Sequence, residues 1–310
     1  MSAIMAQTTF LLLAVTLLPG QAMAQRNIEV PLYPNGVPNS VTSTQPEKRT
    51  FDTEGRLTAV SNVIVPRLIV YRPATSNGTG VIICPGGGYR NLNTENARFI
   101  AQRLNQWGIT AFVLTYRLPA DGLMQDRSIG PFQDIQQAFR VVRQRAAEWG
   151  IQPNHLGALG SSAGGHVAAI AATQFTKAFE PGKDTTSLRP DFLVLCWPVV
   201  SFRPDIAHQG SVKNLLGDHP IDKQLADFSP EKHVTTATPP TFLVHAGDDP
   251  TVKFSNSIRF YEALRKANVP AELHLYEKGG HGFGIKPDLP DSWMTQLEIW
   301  LRNRGFLTRI

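Results

Sequence analysis

The chain has 310 residues, 42% of them hydrophobic and 18% charged, with a formal charge of +5. That is an ordinary globular balance with room for one large domain or two small ones. The Lys and Arg residues are scattered, with no basic run that could track phosphates, so a nucleic-acid partner is not expected.

At the N-terminus, residues 10–18 form a short apolar run and Ala22-Met23-Ala24 fits a small-x-small cleavage pattern. Residues 1–24 therefore read as a signal peptide, which implies export to the periplasm or the medium. The run is too short to span a bilayer, and no later segment is long enough, so stable membrane insertion is not expected. Residues 25–60 are rich in Pro, Asn, Ser and Thr and read as an irregular entry segment. Residues 61–310 read as the main folded domain.

Strands are predicted at 63–71, 81–84, 110–116, 155–159, 192–197, 241–246 and 271–276. Several are continuous apolar runs, as expected of strands covered on both faces. Helical spacing lies between them. Ala97, Ile100, Ala101 and Leu104 mark a helix over 94–107. Phe132, Ile135, Phe139, Val142, Ala146 and Trp149 form one apolar stripe. Helices are also predicted over 163–175, 255–268 and 291–304, the last two with Ser255 and Asp291 at their starts. Residues 203–240, interrupted by Gly and Pro, read as loops and short helices. Alternating strands and helices imply a mostly parallel sheet with helices on both faces. The two cysteines, Cys84 and Cys196, fall in separate buried strands and read as free thiols.

Gly160-Ser161-Ser162-Ala163-Gly164 matches G-x-S-x-G between a strand and a helix, the context of a nucleophile turn in the α/β-hydrolase fold. Small residues must flank the serine in so sharp a turn. Ser162 is the expected nucleophile, and the helix N-terminus behind it favours a developing oxyanion. Pro85-Gly86-Gly87-Gly88-Tyr89 follows an early strand, and glycines there can aim N–H groups at a ligand. Gly87, Gly88 and Ala163 are the expected oxyanion-hole donors. The fold orders its triad Ser, acid, His. Asp248 and Asp249 both follow the strand at 241–246. Asp249 is chosen because Asp249-Pro250-Thr251-Val252 resembles the acid loop of many hydrolases, and Asp248 is expected to hold loop backbone. His281, among glycines past the last strand, reads as the base. The remaining histidines are scattered among strand, helix and loop positions, so no metal is expected, nor any cofactor.

From about Val60 onward the chain resembles the bacterial acetylxylan-esterase-like and feruloyl-esterase-like α/β-hydrolases. The resemblance is carried by residues 81–89, Tyr116-Arg117-Leu118-Pro119, residues 160–166, Asn214-Leu215-Leu216-Gly217, residues 239–252 and residues 276–284. Pro85 stands where such loops often have His, and Glu95-Asn96 where Glu-Gly is common. The resemblance implies deacylation of small-molecule or oligosaccharide esters, acetyl groups first. Short segments around Asp249 and His281 predict little or no lid. Tyr89, Arg90, Trp197 and Phe283 are expected to line the cleft. Other readings are a short-chain carboxylesterase, a feruloyl esterase, a serine exopeptidase of related fold (such enzymes usually carry a large propeller for which this chain has no room), and a non-catalytic binding protein.

Overall fold

A computed structural model describes residues 28–43, 45–120, 122–180, 182, 184–285 and 293–307. The expected signal peptide, with its cleavage point after Ala24, and the expected cap at Asp291 lie outside these residues.

Among the described residues, eight strands make the main sheet: β1 (Ile28–Pro31), β2 (Arg67–Tyr71), β3 (Gly78–Cys84), β4 (Thr110–Thr115), β5 (Ile151–Ser161), β6 (Leu193–Cys196), β7 (Thr241–Ala246) and β8 (Ala271–Tyr276). Their order is β1-β2-β4-β3-β5-β6-β7-β8. β2 runs antiparallel to both β1 and β4, and all other neighbours are parallel. This is the α/β-hydrolase fold. A three-stranded antiparallel ribbon, Lys48–Phe51, Leu57–Ser61 and Leu92–Asn93, packs beside it.

The central strands are buried on both faces, and their residues alternate between two cores. On one side Ile82, Phe112 and Leu114 meet Phe132, Ile135 and Phe139 of α2 (Gly130–Gln144) and Val167 and Ile170 of α3 (Ala163–Thr173), while Phe260 and Leu264 of α6 (Ser255–Lys266) complete that face. On the other side Val81, Ile83, Ala111 and Val113 meet Ile100 and Leu104 of α1 (Thr94–Gln106) and Leu297 and Trp300 of α7 (Trp293–Asn303). Burying a large apolar side chain contributes about 1.5–3 kcal/mol, so these two layers fix where the strand ends stand.

The sheet order also chooses the place of the site. The chain leaves β3 toward β4 on one side, and leaves β5 toward β6 on the other. The crevice between the C-terminal ends of β3 and β5 is thus a topological switch point, where loops diverge and a ligand can enter. Cys84 and Gly160, opposite one another in register, mark its floor.

Several expectations need correction. The entry segment is not wholly irregular: β1 joins the sheet edge, with Val30 and Leu32 buried. The stripe through Trp149 is not one helix, because α2 ends at Gln144 and a single 3-10 turn, Ala146–Trp149, carries the aromatic to the core. Ser255 opens α6 without capping it; Phe254 occupies that position, with no side-chain hydrogen bond. In the 203–240 segment, α4 (Gln209–Leu216) and α5 (Asp222–Asp227) are short helices, as expected. Cys84 and Cys196 are buried free thiols, and burial pushes both well above the usual thiol range.

Candidate active site

Ser162 joins β5 to α3 with φ 53° and ψ −123°, a conformation that costs a non-glycine residue of order 1–3 kcal/mol. Three hydrogen bonds hold it there. Its N–H donates to Cys196 O, and its carbonyl accepts from Gly165 N and Val199 N, each at 3.0 Å. The neighbours must be small because backbone crosses backbone. A Cβ on Gly160 would sit 2.2 Å from Gly164 O, and one on Gly164 would sit 2.1 Å from Cys84 O. Ser162 occupies the N-cap of α3 but makes no capping hydrogen bond. Its hydroxyl is therefore available elsewhere.

That hydroxyl lies 3.0 Å from His281 Nε2, and His281 Nδ1 lies 2.7 Å from Asp249 Oδ2. The other carboxylate oxygen of Asp249 accepts from the amides of Thr251 and Val252, at 2.8 and 3.0 Å. Burial pushes this carboxyl up. Hydrogen bonds from His245, His281 and the two amides outweigh that effect and hold it well below the usual carboxylate range. Asp248 serves the loops instead. Its Oδ1 accepts from Gly280 N at 2.8 Å, tying the acid loop to the histidine loop.

The sequence alone reads His245 only as a strand histidine. Fully buried, it touches the acid directly. Its Nε2 lies 3.0 Å from Val252 O and 3.2 Å from Asp249 Oδ2, and its Nδ1 lies 2.8 Å from Ser257 Oγ. A carbonyl can only accept, so Nε2 carries the proton and Nδ1 accepts from the serine. Oδ2 of Asp249 thus lies between two imidazole N–H groups. The period-2 strand pattern could not reveal this, because the partner enters from a loop four residues later.

Across the switch point, the glycine loop after β3 turns back sharply. Gly87 has φ +135°, and a Cβ there would lie 2.0 Å from Asn91 O. Asn214 of α4 donates its side-chain amide to Gly88 O at 2.8 Å, pinning the loop from outside. Among the described residues, the N–H groups of Gly87, Gly88 and Ala163 donate no hydrogen bond.

A cleft of about 800 Å³ opens above these groups, lined by Ser162, His281, Gly86, Gly87, Gly88 and a polar wall that includes Asn91 and Asn96. Of the four side chains expected to line it, Arg90 and Trp197 do. Tyr89 does not. Its left-handed backbone, φ 63°, directs the ring into the core, where its hydroxyl lies 2.7 Å from His166 Nδ1. Phe283 is also absent from the lining, and its ring packs against those of Trp197 and Tyr276 at 5.5 and 5.3 Å. His208, which the sequence places on a loop or the surface, lines the cleft instead.

The sequence profile of the BD-FAE family matches residues 68–264. The chain belongs to the BD-FAE family. It is 34% identical over 244 residues to the acetylxylan esterase of Xylanibacter ruminicola, covering 76% of this chain and 48% of that protein. It is 33% identical over 210 residues to endo-1,4-beta-xylanase B of Butyrivibrio fibrisolvens, covering 67% of this chain and 33% of that protein. This BD-FAE chain thus spans half or less of the length of these two curated relatives. Among solved structures it superposes on the acetyl ester-xyloside bifunctional hydrolase of Caldicellulosiruptor lactoaceticus with a TM-score of 0.74 at 34% identity, covering 93% of this chain and 100% of that one. It also superposes on esterase 2 of Thermogutta terrifontis, with a TM-score of 0.65 at 26% identity, covering 90% and 99%. The relatives that this BD-FAE chain matches include proteins named as an acetylxylan esterase, a probable carboxylic ester hydrolase and an acetyl ester-xyloside hydrolase.

Proposed function

We propose that the protein is a serine esterase that removes acetyl or other small acyl groups from carbohydrate esters, with Ser162, His281 and Asp249 as its triad. The observation carrying this reading is the unbroken hydrogen-bonded line from Ser162 Oγ through His281 to Asp249, at 3.0 and 2.7 Å. Ser162 Oγ attacks the ester carbonyl carbon while His281 Nε2 takes its proton, and Asp249 stabilises the imidazolium. The negative oxygen that forms is held by the N–H groups of Gly87, Gly88 and Ala163. One such donor is worth roughly 3–4 kcal/mol in the transition state. The C–O bond to the alcohol breaks, and the alcohol leaves with the proton from His281. Water then gives a proton to His281 and attacks the acyl-enzyme, releasing the acid and restoring Ser162.

The relatives' names, acetylxylan esterase and acetyl ester-xyloside hydrolase, support a sugar ester as substrate. So does the polar wall of the cleft. The pattern of residues 10–24 supports export before the enzyme meets such a substrate. A second reading, a general short-chain carboxylesterase, is favoured by the likeness to esterase 2 of Thermogutta terrifontis. Both readings are tested by turnover of acetylated xylo-oligosaccharides beside p-nitrophenyl acetate. Sugar-ester hydrolysis at the higher kcat/KM, with both activities lost by three orders of magnitude or more in Ser162→Ala, is the expected result. Preference for the aryl ester supports the second reading, and full activity in Ser162→Ala overturns both.

A further inference from the structure

His208 stands at the N-cap of α4, where its Nδ1 accepts from the Ser211 amide at 3.2 Å and from Ser211 Oγ at 2.8 Å. A backbone N–H can only donate, so Nδ1 is unprotonated and the proton of the neutral ring is on Nε2. The side chain is half-buried and lines the cleft. Its Cε1 lies 3.7 Å from where a Cβ on Gly88 would stand, which puts the ring beside the glycine loop. Nε2 has no partner among the described residues. Burial, and then the positive charge that His281 gains, both disfavour protonation of this ring. The cap therefore fixes one neutral N–H donor at the wall of the cleft, in a group that the triad chemistry does not use.

The remaining wall has the same character. Ser61, Arg90 and Asn96 offer donors, and no carboxylate lines the cleft among the described residues. A donor-rich wall without acids matches a ligand rich in oxygen acceptors. The amides of Gly87, Gly88 and Ala163 already supply the carbonyl oxygen, so a further donor beside them has the alcohol portion to meet. We infer that His208 is a substrate-binding residue that donates its Nε2–H to a hydroxyl or ring oxygen on the alcohol side of the ester. It thereby selects polyhydroxylated alcohols over simple ones. This inference rests on the esterase reading above.

The test compares wild type with His208→Asn. Asn can still accept the Ser211 amide and keep the α4 cap, but it is too short to bring a donor to the place of Nε2. Kinetics are measured on a monoacetylated methyl xyloside and on phenyl acetate, whose alcohol has no neighbouring hydroxyl. The expected result is a drop of about tenfold or more in kcat/KM for the xyloside, carried mainly by KM, with phenyl acetate changed less than twofold. Equal losses on both substrates, or no loss on either, would overturn the assignment. Ser162→Ala is run in parallel to separate the two claims. If that variant loses both activities while His208→Asn leaves the substrate ratio unchanged, only the role of His208 fails. If the wild type cleaves phenyl acetate alone, the sugar-ester reading and this assignment fail together.

Discussion

At the scale of single residues, the acid of the proposed triad is the most heavily supported group in the site. Asp249 is held by two amides and by two imidazoles, and His245 shares the very oxygen that faces His281. His245 is not among the residues lining the cleft, and in the proposed mechanism it acts through Asp249, as a positioning residue. A hydrogen bond to a charged group contributes about 1.5–3 kcal/mol. In His245→Phe the carboxylate of Asp249 keeps its two amides but loses one of its two imidazole partners. The acidic limb of the kcat/KM profile is expected to move to higher pH, with kcat lowered about tenfold and KM little changed. A limb that stays in place while activity falls at every pH would reduce His245 to a packing role. The sequence made Ser162, Asp249 and His281 readable because each sits on a loop whose neighbours are shaped by backbone geometry. His245 and His208 were not readable in the same way. Their partners, Asp249 and Ser257 for one and Ser211 with the cleft wall for the other, come together only through folding.

At the scale of elements, apolar periodicity found every parallel strand, and the bounds of β7 and β8 were read without error. It missed β1 because an edge strand of four residues, with one side chain buried, carries almost no pattern. It overextended α2 because the stripe continues through Ala146 and Trp149 although the backbone changes to a 3-10 turn. The same limit explains Tyr89. An aromatic beside a glycine loop reads as a cleft wall, but a left-handed backbone turns its ring inward onto α3. There the Tyr89 hydroxyl donates to His166 Nδ1, whose Nε2–H donates to Phe228 O at 2.7 Å. His166 of α3 is thus the strut between the glycine loop after β3 and the segment after α5, and its ring stacks on Phe202 at 4.6 Å.

At the scale of the whole molecule, that strut makes stability depend on pH. Burial depresses the His166 pKa from 6.5 to about 4. The unfolded chain takes up a proton below about 6.5, whereas the folded chain stays neutral there until about 4. Its contribution is therefore complete above pH 6.5 and is lost as the pH falls toward 4, about 3 kcal/mol in all. Burial depresses His208 in the same direction. Urea unfolding should accordingly show a loss of roughly 2 kcal/mol between pH 6.5 and 5, where ordinary carboxylates stay ionised. A flat denaturation midpoint across that window would mean that His166 is hydrated or charged in the folded state.

The fold brings loops from β3, β5, β7 and β8 to one crevice, and the whole account rests on the serine delivered there being the nucleophile. The most direct measurement is covalent labelling of the full chain with a fluorophosphonate, followed by peptide mass mapping. The account predicts a single adduct, on Ser162, abolished in Ser162→Ala and strongly slowed in a folded His281→Ala variant. An adduct on another residue, or labelling that survives Ser162→Ala, would contradict it.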